Sequence, residues 1–253
     1  MFNKQTTGFS LIELTISMVM IGLLATAIFH SKKLVETSQL NRLMGDFQEM
    51  ESQMTKFFFI YNALPGDMPN AYNVFGEDCY HNAEICNGDG DGKIFWNYNS
   101  PFELTESIQL WKHLSLAKIS QFNPNYEGPQ DNPRSLPSQK THGIGGINIP
   151  RSQVGGSYFI FYSNSTWTNT KRVINQNSLI YADQNIGRPA TNNISIEKAY
   201  LLDNKYDDGL PLSGSIWTAN PNCRQANMNG ELDYKLMSDK SLLCHLYYIL
   251  DLF

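Results

Sequence analysis

Three groups of side chains in this sequence are of types and spacings that could do chemistry. In the first, Asn87, Asp89 and Asp91 alternate and are followed by Gly92 and, two residues on, Ile94. Oxygen ligands at positions one, three and five, a glycine at six and an aliphatic at eight imitate the first half of an EF-hand calcium loop. Tyr98 stands where position twelve requires a bidentate glutamate, so a true EF-hand is rejected. Two readings stay open. One is a calcium loop of another kind, with Glu103 or Glu106 as distant ligands. The other is a tight Asn/Asp/Gly turn cluster that needs no ion. The second group is Asp203, Asp207 and Asp208, followed by Gly209. Carboxylates this close repel one another unless a cation or a basic residue intervenes. Asp203 could instead terminate a helix before it.

The third group is the cysteines: Cys79, Cys86, Cys223 and Cys244. Cys79, His81 and Cys86 offer zinc-type ligands, but spacing supplies no fourth. Four cysteines allow three disulfide pairings, and the most local one, Cys79–Cys86 with Cys223–Cys244, is preferred. No Gly-x-Ser-x-Gly elbow, His-Glu-x-x-His pair or phosphate loop occurs. His113, His142 and His245 stand without evident partners and read as surface or satisfied core residues. The chain is therefore expected not to be an enzyme. A net charge of −5 argues against a nucleic-acid surface, since the only adjacent basic pairs are Lys32-Lys33 and Lys171-Arg172.

What must position these groups begins at the N-terminus. Phe9 to Phe29 carries a single ionisable side chain, Glu13. As a helix it would run roughly 32 Å, enough to cross the hydrocarbon layer of a bilayer. A secretory signal places its small-residue cleavage site after the apolar stretch. Here Gly8 precedes it, so cleavage at Gly8 leaves the membrane helix on the mature chain. Lys4 supplies a weak positive-inside signal that puts residues 1–8 in the cytoplasm and the remainder outside. In that oxidising compartment disulfides are expected rather than zinc.

The run Gly8-Phe9-Ser10-Leu11-Ile12-Glu13-Leu14, with Thr15 beyond it, resembles the processing motif of type IV prepilins and type II secretion pseudopilins. The resemblance implies that a membrane-embedded prepilin peptidase cuts between Gly8 and Phe9 and N-methylates Phe9. It implies further that the Glu13 carboxylate pairs with the terminal ammonium of a neighbouring subunit during assembly. A carboxylate there costs on the order of 3 kcal/mol inside the bilayer, which is a physical reason to expect a partner. Phe9 and Glu13, four apart, share a helix face.

Leu40, Leu43, Met44, Phe47, Met50, Met54, Phe57, Phe58 and Tyr61 recur at steps of three and four, and no proline intervenes before Pro65. This spacing predicts one long helix from about Phe9 to Tyr61, with Gly22 and Gly45 as possible bends. Residues 65–100 read as loop, Glu103 to Ile119 as an amphipathic helix, and 121–150 as a long irregular connection. Strands are expected at Ser157–Ser163, Arg172–Ile174, Ser178–Ala182, Ser215–Thr218 and within 232–250, with a short helix from Ile194 to Leu202. The expected fold class is α+β and pilin-like, a long N-terminal helix on a mostly antiparallel sheet in a loop-rich head. Its expected parts are a leader (1–8), a transmembrane helix (9–30), an amphipathic half of the spine (31–62) and an extracytoplasmic head (63–253).

Further patches are similar to prepilins with a long head: Tyr61 to Asp67 (Tyr-Asn-Ala-Leu-Pro-Gly-Asp), Asn87 to Gly92, and Trp111-Lys112-His113-Leu114 with Ala117. Asp203 to Gly209 with Pro211 and Gly214 also fits. Some pseudopilins hold calcium in C-terminal loops, which makes Ca²⁺ the candidate cofactor at Asp203, Asp207 and Asp208. The resemblance implies a structural subunit of a type IV pilus or a type II secretion filament. The alternative is a minor tip pilin whose large head binds a surface, a secreted substrate or DNA, the last disfavoured by charge. Implied partners are the prepilin peptidase, other pilin or pseudopilin subunits, the inner-membrane assembly platform and the lipid bilayer. The implied location is the bacterial inner membrane, single-pass, with the head in the periplasm or exterior and a cell-surface filament after assembly.

Overall fold

The computed structural model describes residues 10–79, 83–95, 106–122, 126, 145–163, 176–182, 193–236 and 242–252. The chain divides into two compact units, Met1–Arg42 and Leu43–Phe253. Helix α1, Leu11–Tyr61, is continuous through Gly22 and Gly45. In the first unit its apolar side chains, among them Leu11, Ile12, Ile16, Val19 and Leu23, are exposed. Ser and Thr are accommodated there because their hydroxyls donate to the helix's own carbonyls, Thr15 to Ile12, Ser17 to Glu13 and Thr26 to Leu23.

In the second unit α1 turns an apolar stripe inward: Leu43, Met44, Phe47, Met50, Met54 and Phe57 are all buried. The stripe packs on a four-stranded antiparallel sheet in the order β1 (Ser157–Ser163), β2 (Gln176–Ala182), β8 (Leu246–Ile249), β4 (Ile216–Trp217). Cross-strand partners share a face, so the register sets Tyr158 beside Tyr181, and Leu179 beside Tyr248 and Ile216. Phe47 meets two of these rings, Tyr158 edge-on at 6.0 Å and Tyr248 stacked at 5.4 Å. The other face carries Phe159, Ile180, Tyr247 and Trp217, also buried. Polar contacts fix the helix in place. Tyr158 donates its phenol proton to Asp46 at 2.6 Å, and Glu51 accepts from Tyr248 and from the Asp251 amide, each at 2.8 Å.

The remaining elements are small. β3 (Ile194–Ser195) pairs with β7 (Leu243–Cys244), and β5 (Arg224–Ala226) with β6 (Leu232–Tyr234), both antiparallel. The expected α+β class is the observed one, an antiparallel sheet beneath a long helix among loops. Two local expectations are corrected. Residues 65–100 contain short helices α2 (Ala71–Phe75) and α3 (Ala83–Cys86). The first turn of α2 is completed by the distant Asn87 side chain, which accepts from the Tyr72 amide at 2.8 Å. The helix expected from Ile194 begins two residues later, as α5 (Ile196–Tyr206), because Ser195 caps it by accepting from the Lys198 amide. The helix expected from Glu103 is described as α4, Glu106–Leu116. The strand expected at Arg172–Ile174, and most of the 121–150 connection, lie outside the described residues.

Candidate functional site

The processing residues Gly8 and Phe9 lie outside the described residues, which start at Ser10. Its backbone N–H donates to Glu13 Oε2 at 2.9 Å. Ser10 precedes the first helical residue and Glu13 is the third, so the carboxylate reaches back over the helix start as in a capping box. Glu13 thus has a hydrogen-bond partner within its own chain. Among the described residues α1 is one helix long and apolar enough to cross a membrane.

The acidic residues sort into two centres, and the first gathers Asp89 and the distant Glu106 of the sequence reading with Asp67, not with Asn87 and Asp91. Asp89 is brought to Asp67 and Glu106, with carboxylate oxygens of all three within 4.8 Å of one another. Asp67 and Glu106 are each 2% exposed. Asp67 accepts the consecutive amides of the loop, Gly90 at 2.7 Å and Asp91 at 3.1 Å on one oxygen, Gly92 at 2.9 Å on the other. Glu106 accepts from Asp89 at 3.2 Å and from Phe95 at 2.6 Å. The loop therefore turns its N–H groups inward around two carboxylates. Asn87 and Asp91 serve elsewhere: Asn87 accepts from Tyr72, and Asp91 pairs with the Lys93 ammonium.

Close approach makes this geometry depend on two glycines. A Cβ at Gly88 would lie 2.3 Å from the Asp67 Cα, and one at Gly66, where φ is +85°, would lie 2.4 Å from the Glu106 carbonyl oxygen. His113 completes the support. Its Nδ1 accepts the Gly66 amide at 2.9 Å, and Nε2 donates to the Cys86 carbonyl at 2.9 Å, which requires the neutral ring. Burial pushes that ring's pKa down to about 4. The loop is also stitched to the sheet. The Asn177 side chain accepts from Ile94 and donates to Gly92, and Tyr162 donates its amide to Ile94.

The second centre is Asp203, Asp207 and Asp208, gathered at the end of α5 with carboxylate oxygens again within 4.8 Å. Asp203 is fully buried and accepts from the Gly209 amide at 2.9 Å and the Tyr234 phenol at 2.7 Å. Asp207 accepts from Ile216 at 2.7 Å and Asp208 from Leu210 at 2.9 Å. Burial outweighs these hydrogen bonds and raises the Asp203 pKa to about 7. In the first centre burial likewise raises Glu106 to about 7 and Asp67 to about 6, the loop amides pulling back and neighbouring carboxylates adding to the rise.

The structure joins Cys79 to Cys86 and Cys223 to Cys244. The sulfurs beside His113 are thereby occupied, and His81 lies outside the described residues. Sequence reasoning missed Asp67 as a member of the first centre. The one signal available was its place in Leu64-Pro65-Gly66-Asp67, a turn sequence in which Asp commonly accepts backbone amides.

What fold and N-terminus show together is an α+β architecture consistent with a pilin-like fold, a long apolar-started helix carrying an α+β head. Residues 3–29 match a family model described as the prokaryotic N-terminal methylation motif, the signature of type IV prepilins and pseudopilins. A search of the curated proteins and a search of the solved structures return no match. The motif supports a pilin- or pseudopilin-like processed subunit, and motif and helix together support anchoring in a membrane.

Proposed function

We propose that this chain is a structural subunit of a type IV pilus or a type II secretion filament. Prepilin peptidase cuts it between Gly8 and Phe9 and methylates Phe9, and it joins other subunits at the inner-membrane assembly platform. The observation that carries this reading is the methylation motif running without a break into helix α1. Glu13 is the assembly residue. In the free chain its carboxylate holds the Ser10 amide, and in the filament it exchanges that neutral donor for the terminal ammonium of a neighbour, a stronger charge-assisted bond. Co-expression with a prepilin peptidase tests the processing: the mature mass should be that of a chain beginning at Phe9 plus one methyl group. Glu13→Ala should still insert and be cut but should enter filaments poorly, and normal filament yield from that variant would remove the assembly role.

A tip position is the second reading, favoured by the size of the head and the length of the 121–150 connection. Abundance in sheared filaments separates the two, since a repeating subunit dominates them and a tip subunit is scarce. In either position Ca²⁺ is the proposed ligand of the acidic centres. Their donors are hard carboxylate oxygens, which suit that ion. Asp67, Asp89 and Glu106 would hold it at one centre and Asp203, Asp207 and Asp208 at the other.

A further inference from the structure

Lys32 and Lys33 are the first lysines or arginines beyond the apolar stretch of α1, and both are exposed. With Phe29 as the last residue of the hydrocarbon span, a rise of about 1.5 Å per residue sets them about 4.5 and 6 Å past its end. The polar layer of a bilayer is about 5–7 Å deep on each side of the hydrocarbon, so both ammoniums fall at the depth of the lipid phosphates. Long flexible stems let lysines reach that level from a helix end.

Two observations narrow what the pair meets. Glu36 lies one turn further on the same helix, four residues from Lys32 and three from Lys33, yet neither lysine is taken up by an ion pair among the described residues. A topology signal does not account for the pair in the proposed orientation. In the proposed orientation these lysines flank the outer end of the span, whereas orienting charges gather at the cytoplasmic end, where the leader carries only Lys4. A basic pair placed against the orienting rule, at phosphate depth, has the chemistry of an anion contact.

We propose that Lys32 and Lys33 form a binding site for anionic phospholipid headgroups at the outer end of the membrane helix. The site tethers the unassembled subunit and must release its lipids when the subunit leaves the bilayer for the filament. This rests on the membrane-spanning subunit reading above.

The test begins with the full-length chain reconstituted in vesicles of equal phosphatidylglycerol and phosphatidylcholine. Release by a carbonate wash would defeat the membrane reading itself. With the chain retained, native mass spectrometry after mild detergent extraction counts the lipids that stay bound. Each lysine near an anionic surface contributes about 1 kcal/mol, roughly fivefold, so the pair should give roughly a thirtyfold preference for phosphatidylglycerol. Wild type should show that preference, K32Q/K33Q should lose most of it, and K56Q, an exposed lysine elsewhere on α1, should keep it. Equal retention of both lipids by wild type, or an unchanged preference in K32Q/K33Q, overturns the proposal. So does displacement of the bound lipid by millimolar inorganic phosphate, which would assign the site to the free anion. An acidic residue of a neighbouring subunit is the competing partner, and it predicts the outcome without lipid preference.

Discussion

The Gly66 amide donates to His113 Nδ1 across 2.9 Å, between residues 47 apart in the chain. Through this bond a tight turn after α1 is anchored to α4, and through Nε2 the same ring holds the Cys86 carbonyl beside the first disulfide. The ring is stacked near Phe57 at 6.2 Å and tilted against Phe75 at 5.6 Å, so packing and hydrogen bonding converge on one side chain.

Two substitutions at this position separate those contributions. His113→Phe keeps a ring in the cavity but strands a buried donor and a buried acceptor, and should destabilise the chain by about 2–3 kcal/mol. His113→Ala adds a cavity and should cost about 3–5 kcal/mol. Urea unfolding followed by near-ultraviolet circular dichroism measures both. Equal stability of His113→Phe and wild type would show that the hydrogen bonds contribute nothing.

Stability should depend on pH in a way that reveals the carboxylates. Asp67, Glu106 and Asp203 bind protons more tightly in the folded chain, with values raised to about 6, 7 and 7. Between their ordinary range and those values the folded state holds more protons, so their contribution falls as pH rises through that window. His113 and His245, both pushed down to about 4 by burial, act oppositely: their contribution is full above the ordinary histidine range and is lost as pH falls toward 4. Asp203→Asn should therefore flatten the loss on the neutral side while leaving the acid side unchanged. Thermal melting from pH 4 to 8 in EGTA gives the profile.

Calcium should matter most where those carboxylates are ionised. Excess Ca²⁺ should raise the melting temperature relative to EGTA at pH 7.5, and the gain should shrink at pH 5, where protons compete for the same oxygens. An unchanged melting temperature at pH 7.5 would count against both centres as calcium sites.

Tyr158→Phe tests how α1 is fastened to the sheet. The substitution removes the 2.6 Å bond to the buried Asp46 while keeping the ring against Phe47. A loss of about 1–3 kcal/mol is expected, with faster hydrogen exchange in β1 than in β8. No change in stability would mean that Asp46 is equally well satisfied without the phenol.

The two disulfides should differ in the direction set by loop length. Their sequence separations are 7 and 21 residues. In the chain-entropy description, removing the shorter one by paired Cys→Ser changes costs about 2.5 kcal/mol and the longer about 3.4 kcal/mol. Equilibrium unfolding of the two double variants ranks them.

Much of the architecture is legible along the chain because it depends on local order. The apolar run from Phe9, the three-and-four spacing from Leu40 to Tyr61 and the aromatic-rich apolar run in Ser157–Ser163 each specify an element from near neighbours. The motif at Gly8 to Glu13 is equally local, since its residues are contiguous in the chain. The acidic loop is different. Alternating Asn87, Asp89 and Asp91 read as outward-to-inward ligand oxygens, whereas the folded loop directs its amides inward. That reversal depends on Asp67, more than twenty residues earlier in the chain, and on Glu106, at the start of α4.

By itself, then, the sequence determined the long helix, its processing motif, the α+β class and which residues carry negative charge. Only the tertiary structure decided which carboxylates meet. Asp67 and Asp89 come together because Gly66 and Gly88 admit backbone at distances a Cβ would forbid, and because His113 holds the turn to α4. Spacing along a chain specifies what one helix or strand presents, but long-range contacts are selected by packing. A buried carboxylate is satisfied by whichever amides the completed fold brings within reach.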